Sequence, residues 1–217
     1  MSRGLRRFQE SGQSHFVTFS CYRRQPFFST AETYHLFVQC LEDMRRRFEM
    51  CGYVVMPEHV HLLLSEPPPT RLADAIHYSK LSFAKRLRSQ RSPEKSAGFW
   101  QKRYYDRNVR SYREFVVKSR YLHRNPVKRG LVSNLQDWKW SNYRHYGFRE
   151  IAIVVIESEW TARDREQKER WRSASDFPSP RLAPKTRART WGTSASRTPV
   201  ESVNVGFTIC LARTLPV

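Results

Sequence analysis

Two histidines one residue apart, His59-Val60-His61, sit in an apolar run that continues through Leu64. On a strand the two-residue period sends both imidazoles to one face, while Val60, Leu62 and Leu64 point the other way into a core. Two imidazoles on one face are half of a metal site. Taken alone, such a pair more often faces water or bonds to neighbouring carbonyls, so its surroundings decide. A divalent ion needs at least one more protein ligand, and the segment from Tyr112 to Asn125 offers one. With a helical advance of about 100° per residue, Tyr112, Phe115, Val116 and Leu122 share an apolar face, and Glu114, Lys118, Tyr121 and Asn125 form a polar stripe. Tyr121 and Asn125 stand at i and i+4, so a phenol and a carboxamide reach one point in space. Periodicity weighs a nucleophilic Tyr121 equally against a half-buried aromatic on the helix flank. His123 falls on the apolar side and reads as structural.

Charge supplies the context. The chain has 217 residues, a formal net charge of +19, a pI near 10.4 and 13% aromatic residues. A field of this size speaks about partners and encounter rates, and the expected partner is an acidic polymer whose bases stack on interleaved aromatics. Residues 1–160 hold 28 Lys and Arg against 15 Asp and Glu, a net +13, so the basic character does not come from the tail. No run of 18 apolar residues, lipidation motif or signal-peptide pattern is present, which argues against a membrane partner and for a cytoplasmic protein. Cys21, Cys40, Cys51 and Cys210 form no Cys-x-x-Cys pair; they suit reduced thiols and argue against a zinc ribbon.

Elements that would position these residues can be read along the chain. His15 to Tyr22 reads as a strand, followed by a loop around Pro26. A helix capped by Thr30 carries Tyr34, Leu36, Phe37, Cys40, Leu41 and Met44 at helical spacing and closes on Arg45-Arg46-Arg47. Tyr53 to Val55 and His59 to Leu64 read as strands broken at Pro57, with a turn at Pro67-Pro68-Pro69. From Arg71 to Arg88, Leu72, Ala75, Ile76, Ser79, Phe83 and Leu87 mark a second helix, with Lys80, Lys85, Arg86 and Arg88 exposed. Phe99 to Tyr105 is extended, and a third helix from Tyr112 stops at Pro126. The order β-α-β-β-α-β-α predicts an α+β fold: a ferredoxin-like, split β-α-β antiparallel sheet with helices packed on it. Residues 1–148 form the predicted catalytic domain and 149–217 a basic, largely disordered extension with a charged helix at Ala162 to Arg172.

These residues resemble the single-tyrosine HUH transposases, and within them the REP-associated tyrosine transposases. The similarity runs through His15 to Phe19, Val54 to Leu62, Phe99 to Asp106, Tyr121 to Val132 and Trp138 to Tyr143. Pro-Glu-His-x-His followed some sixty residues later by Tyr-x-x-x-Asn-Pro-Val is a specific combination. The resemblance implies His59 and His61 as metal ligands and Tyr121 as the nucleophile. Several members carry glutamine where Asn125 stands; both side chains offer a carbonyl oxygen, so Asn125 is carried over as the third ligand. The implied cofactor is Mg²⁺ or Mn²⁺, and the implied partner is single-stranded or hairpin DNA, including REP-type palindromes. The resemblance further implies a monomer or homodimer associated with the nucleoid. The implied reaction cleaves and rejoins that DNA through a 5′-phosphotyrosine. Candidate DNA contacts are Lys80, Arg86, Arg103, Tyr104, Tyr105, Arg107 and Arg110, whereas Trp100 is expected to pack in the sheet. Rival readings are a metal-dependent nuclease that activates water, a non-catalytic DNA-binding regulator of the same fold, and a zinc site built from Cys51 with the two histidines.

Overall fold

The expected alternation of strands and helices is present in the computed structural model, which describes residues 13–45, 48–65, 71–89 and 98–175. In chain order the elements are β1 (Ser14–Cys21), α1 (Ala31–Arg45), β2 (Glu49–Val55), β3 (His59–Ser65), α2 (Leu72–Ser89), β4 (Trp100–Val109), α3 (Tyr112–Lys128), α4 (Tyr143–Phe148) and α5 (Glu159–Ser175), with 3-10 turns at Tyr22–Arg24 and Leu135–Asp137. The sheet order is β2-β3-β1-β4 and every neighbouring pair is antiparallel. β3 thus inserts between the parallel β1 and β2, which is the split β-α-β arrangement predicted. The Pro67 turn, Arg46-Arg47 and the tail expected to be disordered from residue 176 onward lie outside the described residues.

Two apolar clusters, one on each sheet face, explain why every residue of β3 is buried. On one face Val17, Phe19, Val60, Leu62 and Leu64 pack with Leu36, Phe37 and Leu41 of α1 and Ile76, Phe83 and Leu87 of α2. Trp100 joins this cluster, edge-on to Phe19 with ring centroids 5.1 Å apart, as expected of a packing residue. On the other face Phe16, Val54, Met56, Leu63 and Val109 meet Phe115 and Leu122 of α3. The histidine face is therefore roofed by α3 instead of facing solvent. The edge of β2 is covered too: Trp138 Nε1 donates to the Val55 carbonyl, and the Val55 and Asn142 amides bond across the same junction. Covering an edge this way removes unpaired ladder groups from solvent.

α3 departs from its predicted end. It passes through Pro126 to Lys128 because only one amide bond is forfeited in the last turn. The turn then closes on Gly130 at φ +65°, with the Leu131 amide on the Pro126 carbonyl and the Gly130 amide on the Val127 carbonyl, a Schellman ending. Tyr112, expected on the apolar face, is instead exposed at the first turn. Packed structure also continues past residue 148. Val154 and Ile156 enter the larger core, and His145 bonds Ser158 at 2.9 Å while stacking on Trp160. Cys21 and Cys40 are buried free thiols, with burial pushing Cys21 up to about 12.

Burial pushes His123 and His145 down to about 4 each. In the unfolded chain both protonate near pH 6.5, but in the fold they stay neutral until about pH 4. The unfolded state therefore binds more protons across that window, and stability falls as pH falls from 6.5 toward 4, on the order of 2 kcal/mol for each histidine. Denaturant titrations at pH 7 and pH 4.5 should show the loss, and His145→Gln should flatten the slope.

Candidate active site

The register builds the site. Thr18 on the central strand pairs with His61 on one side and Tyr105 on the other, and Ser20 pairs with His59. Both histidines are buried, and their Nε2 atoms converge to 3.0 Å. Their other ring nitrogens are engaged from behind: Thr18 Oγ1 lies 2.7 Å from His61 Nδ1, and a Glu58 carboxylate oxygen lies 3.2 Å from His59 Nδ1. The second contact has the distance of an ion pair without hydrogen-bond alignment, since His59 Nδ1 lacks an aligned partner. Glu58 is held in turn by Arg129 at 2.7 Å. Such outer contacts orient an imidazole and select the nitrogen it presents.

Burial disfavours the charged imidazolium on both residues. His59 is held below its ordinary value, with Glu58 opposing the shift, and His61 is pushed down to about 3 by burial, by His59 and by the Lys118 and Arg24 cations. Both are neutral near pH 7, the form in which imidazole binds a metal. Cis ligands of an octahedral ion at about 2.1 Å stand about 3.0 Å apart, so the observed separation fits a chelating pair. Among the described residues no three His, Cys, Asp or Glu side chains come together as a metal-binding group, so Cys51 does not join the two histidines, and a third ligand drawn from these residues would be a neutral oxygen donor. Asn125 has that chemistry and is buried one turn beyond Tyr121, not exposed along a polar stripe.

Tyr121 stands over the pair. Its ring meets His61 edge-on at 5.3 Å and Phe16 at 5.9 Å, and Phe16 stacks on His61 at 5.4 Å. The residue remains 44% exposed, so packing fixes the ring while solvent and ligand reach the phenol. Lys118, one turn earlier on α3, lies 4.8 Å over the Phe16 ring. His123 takes the structural part expected of it, bonded to Asn142 at 3.2 Å.

The candidate DNA contacts divide between the two faces. Phe16 pairs with Leu63 and with Arg107, so Tyr105 and Arg107 share the histidine face, while Arg103 falls where the β1–β4 register shifts. Arg107 also bonds Glu114, whose carboxylate accepts from the Arg110 amide beside it. Tyr104 packs with the α1 and α2 core instead. Lys80 and Arg86 of α2 lie on that same side, held by the Gln101 carbonyl and by Asp43. The strand period alone separates Tyr104 from Tyr105. Thr18 and Phe16, by contrast, are brought to the site by a cross-strand register that no local pattern reports.

The four-stranded split β-α-β sheet thus presents a buried His-x-His pair beneath a helix-borne tyrosine. The model of the IS200-like transposases matches residues 9–125, just over half of the chain, and the protein belongs to that family. A Haemophilus influenzae protein named as a REP-associated tyrosine transposase is 26% identical over 121 residues, covering 52% of this chain and 66% of that one. The REP-associated tyrosine transposase of Escherichia coli is 25% identical over 158 residues, covering 71% of this chain and 88% of that one. The solved structure of a REP-associated tyrosine transposase bound to a REP hairpin superposes with a TM-score of 0.58 at 23% identity, covering 72% of this chain and 92% of that one. That likeness supports the fold. Among the described residues no helix is long and apolar enough to cross a membrane.

Proposed function

We propose that this transposase cleaves and rejoins single-stranded, hairpin-forming DNA through a phosphotyrosine on Tyr121. The observation that carries the reading is the half-exposed Tyr121 ring set 5.3 Å from His61, whose Nε2 faces that of His59. His59, His61 and Asn125 would hold Mg²⁺ or Mn²⁺. Such an ion, when bound, polarises a phosphodiester and offsets charge that develops on its oxygens. The protein supplies the rest. Thr18 and the Glu58–Arg129 pair fix the imidazoles, and Phe16 with His61 fixes the tyrosine ring. The Tyr121 oxygen, once deprotonated, attacks phosphorus; the bond to the 3′ oxygen breaks, and that oxygen leaves as the DNA 3′-hydroxyl with the 5′-phosphate on the enzyme. Phenolate is itself a good leaving group, so a DNA 3′-hydroxyl reverses the step without ATP.

Arg103, Tyr105 and Arg107 along the edge strand would carry the single strand toward Tyr121, combining backbone charge with a stacking ring. For about five phosphate contacts, log K against log salt should fall with slope near −3.5, roughly a hundredfold loss between 50 and 200 mM. Fluorescence anisotropy on a hairpin oligonucleotide measures it, and a flat profile would refute an electrostatic mode. The reaction is tested by incubating labelled hairpin DNA with protein and Mn²⁺ and resolving products on a denaturing gel. A slow-migrating, protease-sensitive species is expected. Cleaved DNA without that species would point to activated water, and intact DNA that is nonetheless bound would point to a regulator.

A further inference from the structure

The outer face of α3 carries a charge pattern that the histidine site does not use. At about 100° per residue, Arg113, Val117, Arg120, Tyr121, Arg124 and Lys128 fall within one arc of about 100°, and all six are exposed. Phe115, Leu122 and Asn125 are buried on the other side of the helix. Tyr121 stands at the margin of the arc nearest Lys118 and Asn125, so the candidate nucleophile belongs to both surfaces. None of the four cations has a carboxylate partner among the described residues. Arginines nearby are committed: Arg107 to Glu114 at 2.7 Å, Arg129 to Glu58 at 2.7 Å and Arg144 to Glu150 at 2.5 Å. Exposed cations on a helix are ordinarily solvated, so charge alone assigns no ligand.

Beyond Tyr121 the stripe runs into a groove. Arg124 and Lys128 line one side of it, and Asn134, Gln136 and Tyr143, brought up by the Leu135–Asp137 turn and the start of α4, line the other. Its volume of about 450 Å³ lies within the range of small-ligand sites, roughly 300–1,000 Å³. Tyr143 is half-buried, its ring fixed edge-on to His123 at 5.6 Å. The Asp137 carboxylate accepts from Asn134 Nδ2 at 3.0 Å and does not line the groove. Two unpaired cations facing side-chain amides and an aromatic ring suit the phosphate, base and sugar of a nucleotide. Arg124 stands three residues past Tyr121, about 4.5 Å of helix rise. β4 meets α3 at the opposite end, through Arg107 and Glu114.

We propose that this groove holds the strand that stays joined to Tyr121, the nucleotides just 3′ of the cleaved bond, with their phosphates on Arg124 and Lys128. The inference rests on the phosphotyrosine reading above and adds a binding surface to it. DNA arrives along β4 at the first turn of α3, passes Tyr121, and continues over the last two turns of the helix. After cleavage the 5′-phosphate end is fixed to the tyrosine, and the groove holds the segment behind it. A segment held this way keeps the phosphotyrosine in one orientation toward an incoming 3′-hydroxyl.

The test maps the cleavage position with the unaltered full chain and Mn²⁺, then measures binding by full-length Tyr121→Phe to hairpin oligonucleotides shortened stepwise from the 3′ end. Affinity should fall about tenfold as the segment 3′ of that position is removed. Adding Arg124→Gln and Lys128→Gln should weaken binding of the long oligonucleotide to the same degree, move the salt slope from near −3.5 to near −2, and abolish the response to 3′ length. Arg124→Lys alone should keep most of the affinity. Both side chains are exposed and unpaired, so melting temperature should not change. Lys168→Gln with Arg170→Gln removes the same charge from α5 and should leave the length response intact. With Tyr121 restored, the groove variant should form adduct at the parental rate once DNA saturates. A groove variant that still distinguishes long from short DNA overturns the assignment, as does an α5 variant that stops doing so, or a saturated adduct rate that falls while affinity holds. If the unaltered protein forms no adduct, the phosphotyrosine reading fails and this inference with it; an adduct beside a length response indifferent to Arg124 and Lys128 removes the inference alone.

Discussion

Tyr121→Phe is expected to abolish covalent attachment to DNA, lowering adduct formation by at least about a thousandfold, because the attacking oxygen is the only atom removed. The ring should stay where it is. Its edge contacts with His61 and Phe16 involve carbon atoms that phenylalanine keeps, and at 44% exposure the hydroxyl gives up no buried partner. Melting temperature and hairpin affinity should therefore match the parent protein. Tyr105→Phe should retain the adduct and Tyr105→Ala should weaken DNA binding, since this ring lies two strands from the histidines on the same face. Tyr104→Phe should be silent in both assays, its ring being packed against the opposite core. Mass spectrometry of the trapped complex decides the matter: a modified peptide carrying Tyr104 or Tyr105, or an adduct from Tyr121→Phe, would defeat the assignment.

What could be read from the sequence was whatever depends on local period. In α2, Leu72, Ala75, Ile76, Ser79, Phe83 and Leu87 are all buried as their spacing predicted, and β3 turns Val60, Leu62 and Leu64 toward the α1 and α2 core. The four-strand order follows from element order and short connections, and it too was legible. What escaped was the second layer on the histidine face. A strand covered on both sides shows no burial alternation of its own, so nothing in His59 to Ser65 announces that α3 lies over it. Asn125 read as part of a polar stripe for that reason, and the packing of α3 on the sheet makes it a buried group one turn beyond Tyr121. Thr18 and Phe16, more than forty residues away from the histidines in sequence, are invisible to periodicity and are fixed only by the β1 and β3 register. Glu58 was legible as a neighbour of His59, but its pairing with Arg129 depends on how α3 ends past Pro126.

That second layer also sets what replacing the histidines should do. His59→Ala and His61→Ala should each reduce cleavage by at least about two orders of magnitude at saturating Mn²⁺, the loss of one of few protein ligands to a charge-stabilising ion. Binding of hairpin DNA should persist, carried by Arg103, Tyr105 and Arg107. The two variants should differ in stability. His61 is sandwiched between Phe16 and Tyr121 and bonded to Thr18, so truncation to alanine leaves a void and an unpartnered hydroxyl, costing on the order of 2 kcal/mol. His61→Asn keeps more of the volume and a polar group for Thr18, and so separates loss of chemistry from loss of packing. His59 contacts chiefly His61 and Glu58, and replacing it strands the Glu58 carboxylate less severely because Arg129 still pairs with it. Activity and thermal melts, each with and without Mn²⁺, test both halves. If the metal is held here, Mn²⁺ should raise the parent's melting temperature and leave both variants unmoved. Undiminished cleavage by a variant carrying both His59→Ala and His61→Ala, or an equal Mn²⁺ shift in it, would show that the ion binds elsewhere.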